Sequence, residues 1–405
     1  MTGEEKLFLR LYRAGMLGEK PELAEDLSSV DWTALLQLAH EQELLPLIYQ
    51  EAYRLQGFSI PDPELKKRFQ ARALEEALRQ VRQTNEFLTL LLHAEEKGMQ
   101  PVVLKGIVCR SLYPKPMLRP SVDEDILIPP EEVRRWHDFL LAEGLFADEP
   151  EADLEAADEL SYHRAHSPTY IELHKSLFPA SSAAYGDYNE LFAGCFARTI
   201  ELEVEDVTLR TLSPTDHVLY LLCHACKHFL HSGVGVRQMG DIAEFIQAYG
   251  DAIDWEWVLE RCREKKIEVF AAAVLQICRE HLTLKEMPGP FAGIEADGTG
   301  LLEDALSGGL YGAEDEDRVH SSNLTLEAVA AGKQGRGERG IRKSLFPGKA
   351  YLQKRFPYAA KHPWLLPIAW AQRIWHYLTG GTRAARSLQI GRERIALLRQ
   401  YKIIP

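Results

Sequence analysis

Apolar residues recur at helical spacing through the first quarter of the chain. The pattern predicts helices over residues 4–17 and 31–41, where Leu35, Leu36 and Leu38 cluster, and a long helix over 63–96. In the long helix Leu74, Leu78, Leu88 and Leu91 supply the apolar stripe. Arg68, Arg72, Arg79 and Arg82 share another face, the ordinary place for a solvated charge row. Residues 1–96 therefore read as an N-terminal helical region.

The period then changes. Val102-Val103-Leu104 reads as a short buried strand, followed by a short helix over 107–112 and a turn rich in proline at Pro114, Pro116 and Pro120. A second strand spans 123–128, and Pro129-Pro130-Glu131-Glu132 opens a helix that runs to Gly144. An acidic loop over 148–159 precedes paired strands at 162–167 and 169–174, and a hairpin over 199–212 turns its acids to solvent. Strands and helices within 97–212 predict an α/β core. Ser213-Pro214 starts a helical bundle over 213–283, a glycine-rich and partly flexible linker covers 284–343, and a basic aromatic segment fills 344–405.

Charge sharpens this division. The net value is −13, yet residues 331–405 carry 16 Lys and Arg against Glu338 and Glu393, leaving 31 basic and 58 acidic residues before them. A basic appendage on an acidic body fits either docking of the tail on that body or contact with a membrane or anionic polymer through 344–405. Six cysteines scattered through a long chain predict reduced thiols. With no signal-peptide pattern and no spanning apolar run, the sequence predicts a cytoplasmic protein.

The candidate chemistry gathers around the second strand. Asp123 and Asp125 are two residues apart, so a strand turns both to one face, where two carboxylates can hold a divalent metal, while Glu124 points away. Lys105-Gly106 ends the first strand, where glycine permits a sharp turn and close approach to a phosphate. Glu172 and His174 share a face of a later strand, which makes Glu172 a third carboxylate. His217, His224, His228 and His231 line one side of the helix from Pro214, with Lys227 and Arg237 as candidate phosphate contacts and Asp241 orienting one of them. Arg119 pairs either with phosphate or with a structural carboxylate. A zinc site of Cys223, Cys226, His224 and His228 is disfavoured, because on a helix the cysteines leave the histidine face.

Taken together, Leu104-Lys105-Gly106, Leu112-Tyr113-Pro114, Arg119 and Asp123-Glu124-Asp125-Ile126-Leu127-Ile128 resemble the bacterial nucleotidyltransferase-like family found in surface-polysaccharide and peptide-natural-product gene clusters. Further echoes are Ile171-Glu172-Leu173-His174, His224-x-x-Lys227-His228, Arg237-x-x-x-Asp241, Leu345-Phe346-Pro347 and Tyr351-Leu352. The resemblance implies an α+β fold, a polymerase-β-like core of small mixed sheet and helices embedded in N-terminal and C-terminal helical regions. It also implies Mg²⁺ (or Mn²⁺) held by Asp123, Asp125 and Glu172, with Glu172 as general base. Lys105-Gly106 stands where such enzymes in general carry Gly-Ser or Gly-Gly closer to the acids, so Lys105 takes over as phosphate ligand. The implied reaction moves a nucleoside monophosphate from an NTP to a sugar, polysaccharide precursor or peptide, with no specific nucleic-acid partner. The competing reading is a non-catalytic adaptor that keeps the fold and works through its basic tail.

Overall fold

Several helix starts carry the acceptors that the unpaired N–H groups of a first turn need. Thr2 and Glu5 form a reciprocal capping box on α1 (Gly3–Leu17), and Asp31 caps α2 (Trp32–Glu41). Helix α3 (Leu45–Tyr53), which the pattern above does not single out, is short and buried on nearly every side. Asp62 and Pro63 then open α4 (Pro63–Glu96). The computed structural model describes residues 1–21, 27–231, 233–308, 316–333, 358, 362–379 and 382–405. Leu345-Phe346-Pro347, Tyr351-Leu352 and the run 334–340 lie outside the described residues.

Helix α4 has the predicted span but not the predicted face. Leu88 and Leu91 are buried, whereas Leu74 and Leu78 are 59% and 60% exposed. The inner face is set instead by Phe69, Ala73, Gln80, Gln83 and Phe87. Gln80 Oε1 accepts from Ser121 N (2.6 Å), and Gln83 Nε2 donates to Glu124 Oε1 (3.3 Å). Buried polar groups require partners, so these two glutamines fix the rotation of α4 and leave the two leucines outside.

The core sheet begins with β1 (Val102–Val103), followed by α5 (Lys105–Arg110), β2 (Glu124–Leu127), α6 (Val133–Ala142), β3 (Phe146–Ala147), β4 (Glu159–His163) and β5 (Tyr170–His174). The hairpin β6 (Ile200–Val204) and β7 (Val207–Thr211) completes a mixed seven-stranded sheet in the order β3-β4-β5-β2-β1-β7-β6. Strand β2 is antiparallel to β1 and parallel to β5, with Asp125 opposite Glu172 and Leu127 opposite His174. The expected α+β architecture is therefore present, with the sheet flanked by helices on both sides in sequence.

Alternation along β2 turns Glu124 away from its acidic neighbours and buries it completely. There it accepts from the Arg110 guanidinium, from Ile107 N (3.1 Å) and from Gln83. Arg110 also donates to Ser121 Oγ (2.8 Å) and Thr84 Oγ1 (3.2 Å). A Cβ on Gly106 would lie 2.6 Å from Glu124 Oε2. Gly106 lies in the first turn of α5, and close approach of this carboxylate, rather than a sharp phosphate-binding turn, is what requires glycine there.

Beyond the sheet run α7 (Pro214–Leu230), α8 (Val236–Tyr249), α9 (Trp255–Glu264), α10 (Glu268–His281), α11 (Thr299–Gly308), α12 (Glu316–Lys333), α13 (Leu366–Thr379) and α14 (Thr382–Gln400). Helix α11 buries Leu301, Leu302, Ala305 and Leu306, so the stretch read as a linker contains part of the core. The end of the basic segment also docks on the body, burying Leu398, Tyr401 and Ile404. Its Arg394 donates to the carbonyls of Phe229 and His231, and Thr325 of α12 donates to that of Leu230. These side chains cap the C-terminal end of α7, whose last carbonyls have no partner within the helix. All six cysteines are buried and unpaired, and among the described residues no helix is long and apolar enough to cross a membrane.

Two tests of the fold follow from its buried ions. Arg110→Met strands the Glu124 charge and is expected to destabilise the protein by about 3–5 kcal/mol in chemical denaturation, with most of the loss recovered in Arg110→Met/Glu124→Leu. Glu244 on α8 is raised to about 7, by burial first, against a bond from Thr283 Oγ1 (2.8 Å) and with the Asp241 charge adding to the rise. Between the ordinary carboxylate pKa and 7 the folded state holds a proton that the unfolded state has lost, so this group makes stability fall as pH rises through that window. Glu244→Gln should therefore raise the melting temperature relative to wild type at pH 8 and leave no advantage below about pH 5.

Candidate active site

The face of β2 opposite Glu124 carries Asp125, and the parallel register sets Glu172 of β5 beside it with His174 one pleat further. His174 Nε2 lies 2.9 Å from Asp125 Oδ1 and 3.6 Å from Glu172 Oε2, while its Nδ1 lies 3.4 Å from Glu159 Oε2. Lys105, at the start of α5, places Nζ 3.0 Å from Asp125 Oδ2, an oxygen that accepts no well-aligned hydrogen bond.

Charge balance decides the protonation of this group. Burial disfavours every ion in it. Against that penalty, Lys105 and His174 hold the Asp125 carboxyl below its ordinary range. Bonds to Asp125 and Glu172 outweigh burial at His174 and raise its pKa to about 9. Lys105 is likewise pushed up, by Asp125 and Asp123 against burial. Glu172 moves the other way from Asp125: burial raises it, and the Asp125 and Asp123 charges reinforce the rise despite the His174 bond. Two adjacent carboxylates thus differ in proton affinity, Asp125 a firm anion and Glu172 the better proton acceptor.

Asp125, Glu172 and His174 each offer a ligand atom, all within 4.8 Å of one another. Two carboxylate oxygens and an imidazole nitrogen suit a divalent cation once His174 gives up its proton, so this buried group can hold a metal ion. The tight group contains His174 where the sequence suggested Asp123. Asp123 stands one residue before β2 and faces the adjoining cavity, where burial raises its carboxyl despite Lys105.

That cavity has a volume of about 210 Å³ and brings together residues from six parts of the chain. Lys105 and Gly106 come from α5, Arg119, Ser121 and Asp123 from the loop before β2, and Glu159 and Glu172 from β4 and β5. Helix α7 adds Leu221, His224, Lys227 and His228, and α8 adds Arg237, Gln238 and Asp241. The sheet side carries Asp123, Glu159 and Glu172 with Lys105 and Arg119 among them, and α7 and α8 add Lys227, Arg237 and Asp241. Every residue proposed from the sequence as nucleotide-binding reaches this cavity.

The partners of the cations differ from the expectation. Asp241 does not orient Lys227 or Arg237; it grips Arg119 through both carboxylate oxygens, with Arg119 Nε 2.9 Å from Oδ1, and accepts from the Tyr113 hydroxyl (3.0 Å). Tyr113 in turn meets the Tyr12 hydroxyl at 2.8 Å, and a Cβ on Gly240 would collide with that hydroxyl. Of the two readings of Arg119, the structural carboxylate is the one realised. Arg237 donates to Glu43 and to the Pro120 carbonyl, which ties α8 to the loop before β2.

The histidine row divides. His224 and His228 open into the cavity with Nε2 atoms 3.2 Å apart, and burial followed by the nearby lysines holds both neutral. His217 is buried against Phe245, and His231 ends α7 bonded to Tyr185 (2.6 Å). Cys226 meets the Tyr188 hydroxyl at 3.5 Å, away from these histidines. Burial disfavours the Lys227 ammonium, and Lys105 adds to the effect, so its pKa is lowered. Such an ammonium gains strongly from an incoming anion.

Sequence reasoning missed Glu159, assigned above to a loop, and the polar set Thr84, Arg110 and Ser121. Glu159-Leu160-Ser161-Tyr162-His163 alternates with a period of two, which was the available signal for β4 and its cavity-facing acid. No sequence signal marks the Arg110 set, because its members come from separate elements.

No match was found among curated proteins or among solved structures. A family model described as uncharacterised nucleotidyltransferase matches residues 28–283, well over half of the chain and inclusive of the acid cluster and every cavity residue named above. The chain therefore belongs to this nucleotidyltransferase family.

Proposed function

We propose that the protein transfers a nucleoside monophosphate from an NTP to an acceptor hydroxyl, using Mg²⁺ or Mn²⁺. The observation that carries this reading is the pairing of Asp125 with Glu172 across parallel strands, beside a cavity that Glu172 and Asp123 line together with Lys105, Lys227 and Arg237. Asp125 and Glu172, with Asp123 or His174 beside them, would hold the metal, which when bound neutralises triphosphate charge and lowers the pKa of the attacking hydroxyl. Lys227 and Lys105 attract the triphosphate, and Arg237 adds to their positive charge. Glu172, the better proton acceptor of the pair, takes the proton of the acceptor hydroxyl as its oxygen bonds to the α-phosphorus and pyrophosphate leaves. Arg119, already paired with Asp241, shapes the wall rather than reaching for phosphate. A sugar, polysaccharide precursor or peptide hydroxyl fits the acceptor role.

Labelled nucleotides test the reaction directly. Incubated with Mg²⁺ or Mn²⁺ and host extract, the protein should transfer label from α-labelled but not γ-labelled NTP to an acceptor; transfer from the γ position alone would mean a kinase and overturn the proposal. Asp125→Asn and Glu172→Gln should each reduce α-label transfer to background, and Asp123→Ala should lose metal-dependent NTP binding with an unchanged melting temperature. Lys227→Ala should raise the KM for NTP by roughly tenfold or more, the worth of a charged hydrogen bond, with a smaller change in kcat.

A further inference from the structure

The outer face of α4 repeats in sevens. Ala71, Leu74, Leu78, Val81 and Asn85 follow one another at steps of three and four, the spacing of coiled-coil a and d positions, and all five are exposed. Leu74, Leu78 and Val81 are 59%, 60% and 39% exposed. The inner face of the same helix is already committed to the core through Phe69, Ala73, Gln80, Gln83 and Phe87, so the outer stripe is a second seam rather than a frayed edge of the first. A monomer seldom leaves an ordered apolar seam open to water.

We infer that this seam pairs with the same seam of a second copy, the two α4 helices lying antiparallel across a two-fold axis between residues 79 and 80. In that register Leu78 of one copy meets Val81 of the other, and Leu74 meets Asn85 at the edge of the contact. Glu75 and Arg82 occupy the flanking e positions, and the two-fold brings Glu75 of each copy beside Arg82 of the other. Arg82 is already held along this flank by Glu86 at 2.8 Å. Charge selects the arrangement. A register shifted by one layer sets Glu75 against Glu75 and Arg68 against Arg82, which repels. A parallel pair sets Gln70 by Glu75 and Ala77 by Arg82, which gives neither charge an opposite across the pair. The antiparallel register centred between 79 and 80 pairs Glu75 and Arg82 while stacking Leu78 on Val81, and it is self-complementary, as a two-fold interface must be.

Sedimentation velocity on the full chain across the micromolar range tests this. A concentration-dependent species of twice 45.9 kDa is expected. Leu78→Glu, at an exposed position, should abolish it without lowering the melting temperature. Glu75→Arg should weaken dimerisation by roughly tenfold or more, and the double exchange Glu75→Arg/Arg82→Glu should restore it, a rescue that a parallel pair or a generally sticky surface does not give. A wild-type protein that stays monomeric, or a dimer indifferent to Leu78→Glu, overturns the inference. A monomer that Leu78→Glu destabilises also overturns it, and points to a segment of the same chain as the cover.

Discussion

Glu124 is buried on the far side of the sheet from the cavity, held by Arg110, Ile107 N and Gln83, and the geometry of the acid cluster depends on it. A strand allows only two facings, so anchoring Glu124 inward commits Asp123 and Asp125 to the opposite face. The same anchor draws Gly106 and the start of α5 against β2, which sets Lys105 at Asp125. It also fixes the rotation of α4 through Gln80 and Gln83, and so decides which leucines of that helix are left outside. One charged pair thus links the N-terminal helices, the sheet and the cavity floor. Its merit is specificity of facing, since breaking a buried pair costs far more than the pair itself contributes.

On the cavity side the acids are balanced before any ligand arrives. Lys105 and protonated His174 flank Asp125, while Glu172 is left with less compensation and a higher proton affinity. Opposite them, His224 and His228 are held neutral by burial and by their lysine neighbours, and Lys227 bears part of the cost of a crowded positive wall. Such a cleft is dense in charge, with carboxylates and cations lining the same cavity of about 210 Å³. This is the arrangement that a metal-bound polyphosphate complements on both sides.

The wall that carries His224 and Lys227 is completed from far along the chain. Arg394 and Thr325 take the last carbonyls of α7, and both lie beyond the stretch shared with the family. The basic C-terminal segment therefore has at least one role inside the molecule, the capping of a helix that lines the cavity. Docking on the body, one of the two readings open from charge alone, is realised for the end of that segment. Burial of Tyr401 and Ile404 anchors it further.

Much of this was legible in the sequence. Caps and apolar periods gave α1, α2, α4 and α7 closely, and the two-residue repeat placed Asp123, Asp125, Glu172 and His174 on shared faces, because a strand's side-chain period is a local property. Lys105 was marked by the glycine beside it, and Lys227 and Arg237 by their charge, but neither signal fixes a place in the cavity. What local pattern could not supply was the choice among partners. Asp241 might serve any cation on the page of the sequence, and it serves Arg119 because β2, α5 and α8 converge there. Leu74 and Leu78 have the spacing of a core stripe, yet Gln80 and Gln83 further along the same helix, tied to Ser121 and Glu124, turn it the other way. The sequence by itself determined which residues share a face; only the tertiary structure decided which face is inside, because that depends on where buried donors and acceptors from distant segments find one another.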